Sequence, residues 1–138
     1  LCNGKVFFGF ENNSYVNTGL GFGAEEKNVI LEKMLIEYSL LMNESIEVIK
    51  CPILNTSALE KLGLERNGKT QTVNEATIYS SDFFNPYDDP TGELNITDNT
   101  YSIHWYAKSW MNKRKILKSK LTRPLHRLLG ADFFRKRK

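Results

Sequence analysis

The first apolar segment of the chain is residues 6–10, Val-Phe-Phe-Gly-Phe, which polar residues 11–14 follow. An unbroken apolar run of this length, bounded by turn-forming residues, predicts a buried β-strand and then a loop. Residues 15–24 form a second extended segment, in which glycines alternate with Leu20 and Phe22. Alternate glycines mark close approach of the backbone either to a ligand or to tightly packed neighbours, and the sequence leaves both explanations open.

A helical pattern follows this glycine-rich segment. Apolar side chains recur at three- and four-residue spacing from Val29 to about Met42, which predicts an amphipathic helix. Asn28 precedes the first apolar position and suits the N-cap, because its side chain can accept a hydrogen bond from a free backbone N–H group. We expect the apolar stripe to face the core, with members Ile30, Met34, Tyr38 and Leu41, and with Leu31 and Leu35 beside it.

Turn and cap signals divide the middle of the chain. A serine followed three residues later by glutamate matches a capping box at a helix start, and glycine suits the residue after a helix end. An Asn-Gly dipeptide predicts a type I′ hairpin turn. The predicted features are a break at Cys51-Pro52, a short helix from Ser57 to Gly63, a hairpin turn at Asn67-Gly68 between Leu64 and Val73, and a strand at residues 77–80.

The rest of the chain changes from polar to strongly basic. Residues 81–99 are rich in turn-forming residues and predict a long loop, a kind of segment that often serves as a functional lid. Residues 101–105 predict an apolar strand that presents His104 among aromatic side chains, where a histidine either packs or binds a ligand. Basic helices are predicted at residues 110–121 and 122–130, the second with proline in its first turn.

Charge is distributed unevenly along the 138 residues. From Lys108 to the end, twelve lysines and arginines stand against a single acid, Asp132, whereas the preceding part is acidic. Leucines at helical spacing among these basic residues are typical of helices that lie in a membrane interface. The alternative is a helix packed on the body with a solvated charged face. The predicted membrane-binding residues are Arg123, Arg127, Arg135, Lys136, Arg137 and Lys138.

The location expected for the protein is the cytoplasm, at the inner face of the cell membrane. Cys2 and Cys51 are too few for a disulfide framework, and reduced cytoplasmic thiols are the simpler interpretation. No apolar run is long enough to span a bilayer, so the basic tail is the expected means of attachment. The sequence also lacks a P-loop, a CxxC pair and an HExxH motif, which excludes the sites that those motifs form.

Three motifs in this order resemble one family of enzymes. The first is Phe8-Gly-Phe-Glu11 with residues 15–24, the second is Cys51-Pro-Ile-Leu-Asn-Thr56, and the third runs from Ile78-Tyr79 through Phe83-Phe84-x-Pro86 to Ser102-Ile-His104 and Ser109-Trp110. Together they resemble the C-terminal half of a bacterial family 32 glycosyltransferase with the DXD-type sugar-binding region. Capsular polysaccharide transferases and Och1-like mannosyltransferases belong to this family.

The resemblance implies an α/β fold of the GT-A type, with a mixed sheet, flanking helices and here a basic helical tail. It implies transfer of a sugar from a UDP- or GDP-sugar donor to a saccharide or lipid-linked saccharide acceptor, generally with retention and with Mn²⁺ or Mg²⁺. In this family pattern His104 approaches the metal or the diphosphate; Lys108 and Trp110 are the predicted phosphate-binding residues, and a lysine at position 108 can add a point charge to the phosphate. Lys108 departs from the small residue usual there. The residues matched to donor-sugar contacts are Asn17, Thr18, Gly19, Asn55 and Thr56.

One element of the family pattern is absent, because the 138 residues contain no DXD motif. We therefore expect residues 1–110 to be the C-terminal half of a catalytic domain, residues 111–138 to be a tail, and the chain alone to be inactive. No residue is assigned a catalytic role. The competing hypothesis is a non-catalytic module whose tail binds an anionic membrane or nucleic acid. Crowding of basic residues at the terminus, away from most aromatic residues, disfavours nucleic acid.

Overall fold

A computed structural model describes residues 6–44, 50–108 and 111–130 of the chain. Helices flank a mixed five-stranded sheet, and a two-stranded hairpin follows, so the expected α/β class with a mixed sheet is confirmed. In chain order the elements are β1 (Val6–Asn12), β2 (Tyr15–Val16), a 3-10 helix (Thr18–Leu20), β3 (Gly23–Ala24), α1 (Val29–Glu44), α2 (Cys51–Glu60), β4 (Gln71–Val73), β5 (Ala76–Tyr79), α3 (Ser81–Phe84), β6 (Tyr87–Asp88), β7 (Glu93–Leu94), α4 (Lys113–Leu121) and α5 (Arg123–Leu129).

The centre of the sheet is the parallel pair of β1 and β5. Val6 lies opposite Ala76, and Gly9 lies opposite Tyr79. Strand β4 pairs antiparallel with β5, while β2 and β3 pair antiparallel with β1. Strand β1, which the sequence predicts as a buried strand, therefore has hydrogen-bonded neighbours on both edges. Its near-continuous apolar sequence is explained by this central position, because both of its faces are covered.

The main apolar core covers one face of the sheet. Val6, Phe8 and Phe10 alternate along β1, and all three are fully buried. Burying a side chain as large as phenylalanine contributes about 1.5–3 kcal/mol. The remaining members of this core cluster come from β2, α1, α2, the loop after α2, β4 and β5: Val16, Ile30, Met34, Ala58, Leu59, Leu64, Val73, Ala76 and Ile78.

An aromatic cluster covers the opposite face. Phe7 stacks on Phe84 with ring centroids 5.8 Å apart, and Tyr79 stacks on Phe83 at 4.5 Å. Gly9 lies beneath this cluster, since a Cβ atom built there would be only 2.5 Å from the Phe84 ring. The short helix α3 is thus fixed against β1 and β5 by stacking, and a glycine makes room for it.

Helix α1 follows the sequence prediction closely. The side-chain oxygen of Asn28 accepts a hydrogen bond from the Ile30 N–H at 3.0 Å, so the predicted N-cap is confirmed. Ile30 and Met34 are buried, and Leu31 packs partly against the core. Leu35 departs from the expectation, because 67% of it is exposed.

Helix α2 begins earlier than predicted. It starts at Cys51 with Pro52 in its first turn, where the missing N–H removes no helical hydrogen bond. The expected break at Cys51-Pro52 and the expected helix start at Ser57 are therefore wrong. The end near Gly63 is confirmed: this residue has a φ of +107°, and the N–H groups around it bond back to the last turn in a Schellman motif.

The hairpin of β4 and β5 turns at Asn74 and Glu75, so the predicted turn at Asn67-Gly68 is wrong. Asn74 has a φ of +53°, the left-handed conformation that a two-residue hairpin loop requires. Asn67 instead forms a local turn before β4, in which its side chain accepts from the Lys69 N–H at 2.9 Å. The pairing of β5 with β1 sets the hairpin register, and this long-range contact outweighs the local dipeptide signal.

The segment after the sheet contains two further corrections. Residues 81–99, expected to form a long loop, contain α3, β6 and β7. Residues 101–105, expected to form a strand, have no regular secondary structure. The N–H groups of Tyr101 and Ser102 both bond to the carbonyl oxygen of Phe83, so this stretch lies over α3 instead of pairing with a strand.

Two short helices make up the tail in the described residues. Asn112 caps α4, and its side chain accepts from the Arg114 N–H at 2.9 Å. Helix α5 is followed by Gly130, which has a φ of +84°. Among the described residues, no helix has the length and apolar character needed to cross a membrane. The predicted site residues Trp110, Arg135, Lys136, Arg137 and Lys138 lie outside the described residues.

Candidate functional site

A polar network covers the carboxyl end of β1, with the carboxylate of Glu11 at its centre. Asn17 donates from Nδ2 to one carboxylate oxygen at 3.2 Å, and Tyr106 donates from Oη to the other at 3.0 Å. Open α/β sheets bind ligands beyond the carboxyl ends of their strands. The network therefore joins the segment after β2 and the segment before α4 at the edge of the sheet where a ligand site is expected.

Asn85 fixes the position of the tyrosine in this network. Its Nδ2 donates to Tyr106 Oη at 2.7 Å and to the backbone carbonyl of Glu11 at 2.8 Å. The side-chain oxygen of Asn85 is buried and has no hydrogen-bond partner among the described residues. A buried acceptor without a donor carries a desolvation cost, so a ligand hydroxyl or N–H group arriving here would be stabilised.

His104 lies against the same tyrosine. The two rings are 4.4 Å apart between centroids and tilted by 46°. The Nδ1 atom of His104 is buried and has no hydrogen-bond partner in the described part of the chain. An imidazole nitrogen in this state is suited to accept a ligand proton or to bind a cation such as Mn²⁺.

The described residues do not complete a metal site. Among them, no group of three or more histidine, cysteine, aspartate or glutamate side chains is arranged to hold an ion. His104 offers one nitrogen, and the nearby carboxylate of Glu11 already accepts hydrogen bonds from Asn17 and Tyr106. Mn²⁺ and Mg²⁺ need several oxygen ligands, so further ligands would have to come from elsewhere.

The environment of Tyr106 keeps its hydroxyl protonated. Burial raises the pKa of Tyr106 well above its ordinary value, and the charge of Glu11 raises this pKa further. The tyrosine is therefore a donor to the carboxylate throughout the neutral range. Tyr106 and Lys108 also have left-handed backbones, with φ values of +48° and +50°. Such a conformation costs a non-glycine residue about 1–2 kcal/mol, and it is concentrated at functional sites.

A second network links the 3-10 helix to α1 and α2. Asn55 is almost completely buried and donates to the hydroxyl of Thr18 at 3.2 Å. Its side-chain oxygen accepts from Tyr38, whose hydroxyl also contacts the sulfur of Cys51. Burial and the neighbouring thiol raise the pKa of Tyr38. Two of the predicted donor-sugar residues, Thr18 and Asn55, are thus in direct contact.

Two other predicted sugar residues have structural contacts. Thr56 is fully buried; its hydroxyl accepts from the Val16 N–H at 2.9 Å and donates to the Pro52 carbonyl at 2.6 Å. The first bond joins α2 to β2 and the second lies within α2, so both the donor and the acceptor function of this hydroxyl are occupied. The Gly19 N–H donates to the side-chain oxygen of Asn17 at 2.8 Å, which orients the Asn17 amide toward Glu11.

A separate basic cluster lies around the β6–β7 hairpin. Lys108 forms an ion pair with Asp89, and Arg123 donates to Tyr87 Oη at 2.6 Å. Arg127, on the next turn of α5, donates from Nε to the Thr91 carbonyl at 2.9 Å. Two of the arginines predicted to bind a membrane therefore make contacts with the hairpin.

The structure brings together part of the predicted site. Asn17 and His104 lie at opposite ends of the path through Glu11 and Tyr106, and Thr18 with Asn55 lies beside it. Lys108 belongs to the hairpin cluster instead. Glu11, Asn85 and Tyr106 were not predicted as site residues. A polar residue that directly follows the apolar run of a strand, as Glu11 does near the end of β1, is the sequence signal that could have identified the first of them.

No protein-family model matches the chain, and no curated protein and no solved structure matches it either.

Proposed function

We propose that the chain is the C-terminal part of a family 32 glycosyltransferase with the GT-A fold. The reaction is transfer of a sugar, with retention, from a UDP- or GDP-sugar to a saccharide or lipid-linked saccharide acceptor in capsule or lipopolysaccharide synthesis. The observation that carries the proposal is the contact path from Asn17 through Glu11 and Tyr106 to His104. The family pattern assigns Asn17 to the donor sugar and His104 to the metal. These two residues are far apart in the sequence, and the contact path links them at one end of β1.

The chemistry of the residues around this path suits a sugar. Sugar hydroxyls both donate and accept hydrogen bonds, and the amides of Asn17 and Asn55 and the hydroxyl of Thr18 do the same. Gly19 adds no side chain at the turn between them, and a Cβ atom built there would be only 3.0 Å from Asn17 Oδ1, so the glycine lets the Asn17 amide lie against the turn. In this proposal Thr56 acts indirectly, because its buried hydroxyl holds α2 and thereby Asn55 in position.

The diphosphate of the donor is negatively charged and needs positively charged groups around it. Mn²⁺ or Mg²⁺, when bound with the donor, neutralises the negative charge of the departing diphosphate. His104 is the described residue proposed to contact it, and the remaining ligands would be the aspartates of a DXD motif, which these 138 residues lack. Lys108 and Trp110 are proposed to contact the phosphates. Lys108 must exchange its partner Asp89 for phosphate in order to do so.

Two measurements test this proposal, both on a protein that contains these residues together with a DXD motif. Calorimetric titration with UDP- and GDP-sugars and Mn²⁺ measures donor binding, and we expect one donor to bind. A sugar-transfer assay measures turnover, and we expect His104→Ala to lower it by at least the roughly 10–100-fold typical of residues that support a metal site. His126→Ala, the other histidine, is the matched control and should leave turnover unchanged. Equal turnover of the His104 variant and the parent protein would refute the metal assignment.

We also propose that the tail attaches the protein to the inner face of the cytoplasmic membrane, where lipid-linked acceptors are located. Support comes from the exposed leucines of α4 and α5, which lie among lysines and arginines: Leu117 is 60% exposed, Leu121 72% and Leu128 83%. These exposed leucines would become buried in the interface of a lipid bilayer, and the lysines and arginines around them would be attracted to anionic headgroups.

Vesicle sedimentation tests the membrane proposal. Replacing Leu117, Leu121 and Leu128 with serine should release the protein from vesicles of anionic phosphatidylserine at low salt. The same three positions changed to isoleucine serve as the control, because they keep the apolar surface. Undiminished sedimentation of the serine variant would reject the proposal, and so would stronger binding of the parent protein to RNA than to vesicles.

A further inference from the structure

A cavity of about 270 Å³ lies between the β6–β7 hairpin, residues 105–108, the C-terminal half of α4 and the first residue of α5. The side chains that matter for its chemistry are Tyr87, Asp89, Trp105, Lys108, Lys120 and Arg123. This volume is just below the roughly 300–1,000 Å³ of sites for drug-sized ligands, so it suits a ligand the size of one sugar ring. The cavity is separate from the Glu11 network, although Tyr106 contributes to both.

The charge of the cavity favours an anion. Three cationic side chains line it against one carboxylate, Asp89. Lys108 is paired with that carboxylate, and Arg123 lies 3.5 Å from its other oxygen. Lys120 is exposed on α4. Lys120 and Arg123 therefore provide a net positive charge that the protein's own carboxylate does not neutralise.

Arg123 is held in place before any ligand arrives. Its guanidinium donates to Tyr87 Oη at 2.6 Å and lies 5.8 Å from the centre of that ring. Gly92 lies against the side chain: a Cβ atom built there would be 2.9 Å from Arg123 Cδ and 3.0 Å from Nε. The Nε atom is buried, so the guanidinium must offer a ligand its terminal N–H groups. A pre-positioned guanidinium is suited to bind a carboxylate.

The cavity also has an aromatic wall. Trp105 is 60% exposed, and its ring centroid is 5.3 Å from that of Tyr87. An exposed tryptophan beside a cavity presents a flat apolar surface with a polar N–H edge. The C–H face of a sugar ring packs on such a surface, and Asp89 can accept hydrogen bonds from sugar hydroxyls. A bare phosphate would leave the aromatic wall unused.

From these features we propose that the cavity binds a carboxylate-bearing sugar, such as a hexuronic acid unit of the acceptor. The carboxylate contacts Arg123 and Lys120, and the ring packs on Trp105. The inference rests on the proposed transferase function and deepens it, since it defines the class of acceptor as an acidic saccharide. A neutral sugar of the same size is a poorer ligand, because it leaves the two cations without an anion.

Direct binding tests this assignment on the 138-residue chain. The chain has two tryptophans, so a ¹⁵N spectrum contains two indole signals, and Trp105→Phe identifies the one from the cavity. Methyl glucuronide should shift that signal with a Kd at least about tenfold lower than that of methyl glucoside at equal ionic strength, a difference of one charge-assisted hydrogen bond. Equal affinities for the two glycosides, or no shift with either, would overturn the assignment.

Variants at single positions add a second measurement. Lys120→Gln should weaken binding of methyl glucuronide about tenfold, whereas Lys118→Gln, an exposed lysine on the same helix outside the cavity lining, should not change it. Gly92→Ala should also weaken binding, because it displaces the guanidinium of Arg123. Equal loss in the Lys118 and Lys120 variants, or binding of inorganic phosphate as tight as that of the glucuronide, would show a general anion-binding surface and reject the sugar site.

The glucuronide titration and the nucleotide-sugar titration together distinguish the acidic-acceptor proposal from the transferase proposal. If a nucleotide-sugar binds with Mn²⁺ but the glucuronide leaves Trp105 unchanged, the transferase proposal stands and the acidic acceptor is wrong. If the glucuronide binds but no nucleotide-sugar does, the cavity is a binding site for acidic sugars and the transferase proposal fails.

Discussion

The sheet region, residues 6–79, and the C-terminal region, residues 85–130, are stabilised in different ways. The sheet region encloses a contiguous apolar core that includes fully buried Phe8 and Leu59. In the described part of the C-terminal region Tyr87 is the buried aromatic residue, and neither α4 nor α5 has a buried residue. Its contacts are mainly hydrogen bonds and ion pairs. The difference indicates that apolar burial maintains the fold, while polar contacts position the part that forms the cavity.

The largest expected effect comes from removing a core side chain of the sheet region. Phe8→Ala should lower the free energy of unfolding by about 3–5 kcal/mol, because it removes buried apolar surface and leaves a void under α1 and α2. Leu128→Ala is the control in the C-terminal region, where the side chain is 83% exposed, and it should change stability by less than about 0.5 kcal/mol. Urea denaturation measures both, and similar losses would contradict the contrast between the regions.

The next effect concerns the joint between the two regions, where Tyr106 donates to Glu11 and accepts from Asn85. Tyr106→Phe removes one hydrogen bond from the Asn85 amide and one from the Glu11 carboxylate. The free energy of unfolding should therefore fall by about 1–3 kcal/mol at pH 7. Tyr38→Phe is a matched tyrosine substitution within the sheet region. We expect the Tyr106 variant to lose the protection of the C-terminal amides from hydrogen exchange, and the Tyr38 variant to keep it. Loss of C-terminal protection in both variants would contradict a specific joint.

The same tyrosine predicts the alkaline behaviour of the protein. The folded state raises the pKa of Tyr106, so the folded chain holds this proton more tightly than the unfolded chain does. The stabilisation is complete below the ordinary tyrosine pKa of about 10 and is lost as pH rises above it. The unfolding free energy should therefore fall less steeply above pH 10 in Tyr106→Phe than in the parent chain. Identical slopes would show that Tyr106 is not a main source of the alkaline loss.

The sequence predicted the elements whose signals are local. Helix α1 has its cap at Asn28 and its buried residues within two turns of that cap, and β1 has both faces apolar. The hairpin turn was misplaced, because the Asn67-Gly68 signal is local while the pairing of β5 with β1 is not. Residues 101–105 were misassigned for a related reason: alternation of aromatic and polar residues is common to a strand and to a segment that lies over an aromatic cluster.

The candidate site was predictable only where a motif pointed to it. Asn17, Asn55 and His104 came from the family resemblance, and nothing in their spacing indicates that Glu11 and Tyr106 connect two of them. Such a connection requires the β2 turn and the segment before α4 to meet beyond β1, which depends on the whole topology. The cavity was likewise invisible in the sequence, because its lining comes from three segments that are separate in the chain.

The smallest expected effect tests the ion pairs within the C-terminal region. Arg127 and Glu93 are 3.9 Å apart, and about half of each side chain is exposed. Solvent and salt screen such a pair, so Glu93→Gln should change the free energy of unfolding by no more than about 0.5 kcal/mol, and by less in 1 M salt. Asp89→Asn removes the partner of the more buried Lys108, so its cost should be larger and less sensitive to salt. Equal changes in the free energy of unfolding, with equal salt dependence, would mean that burial does not distinguish the two ion pairs. In that case the side chains of the cavity would be no better fixed than those of the surrounding surface.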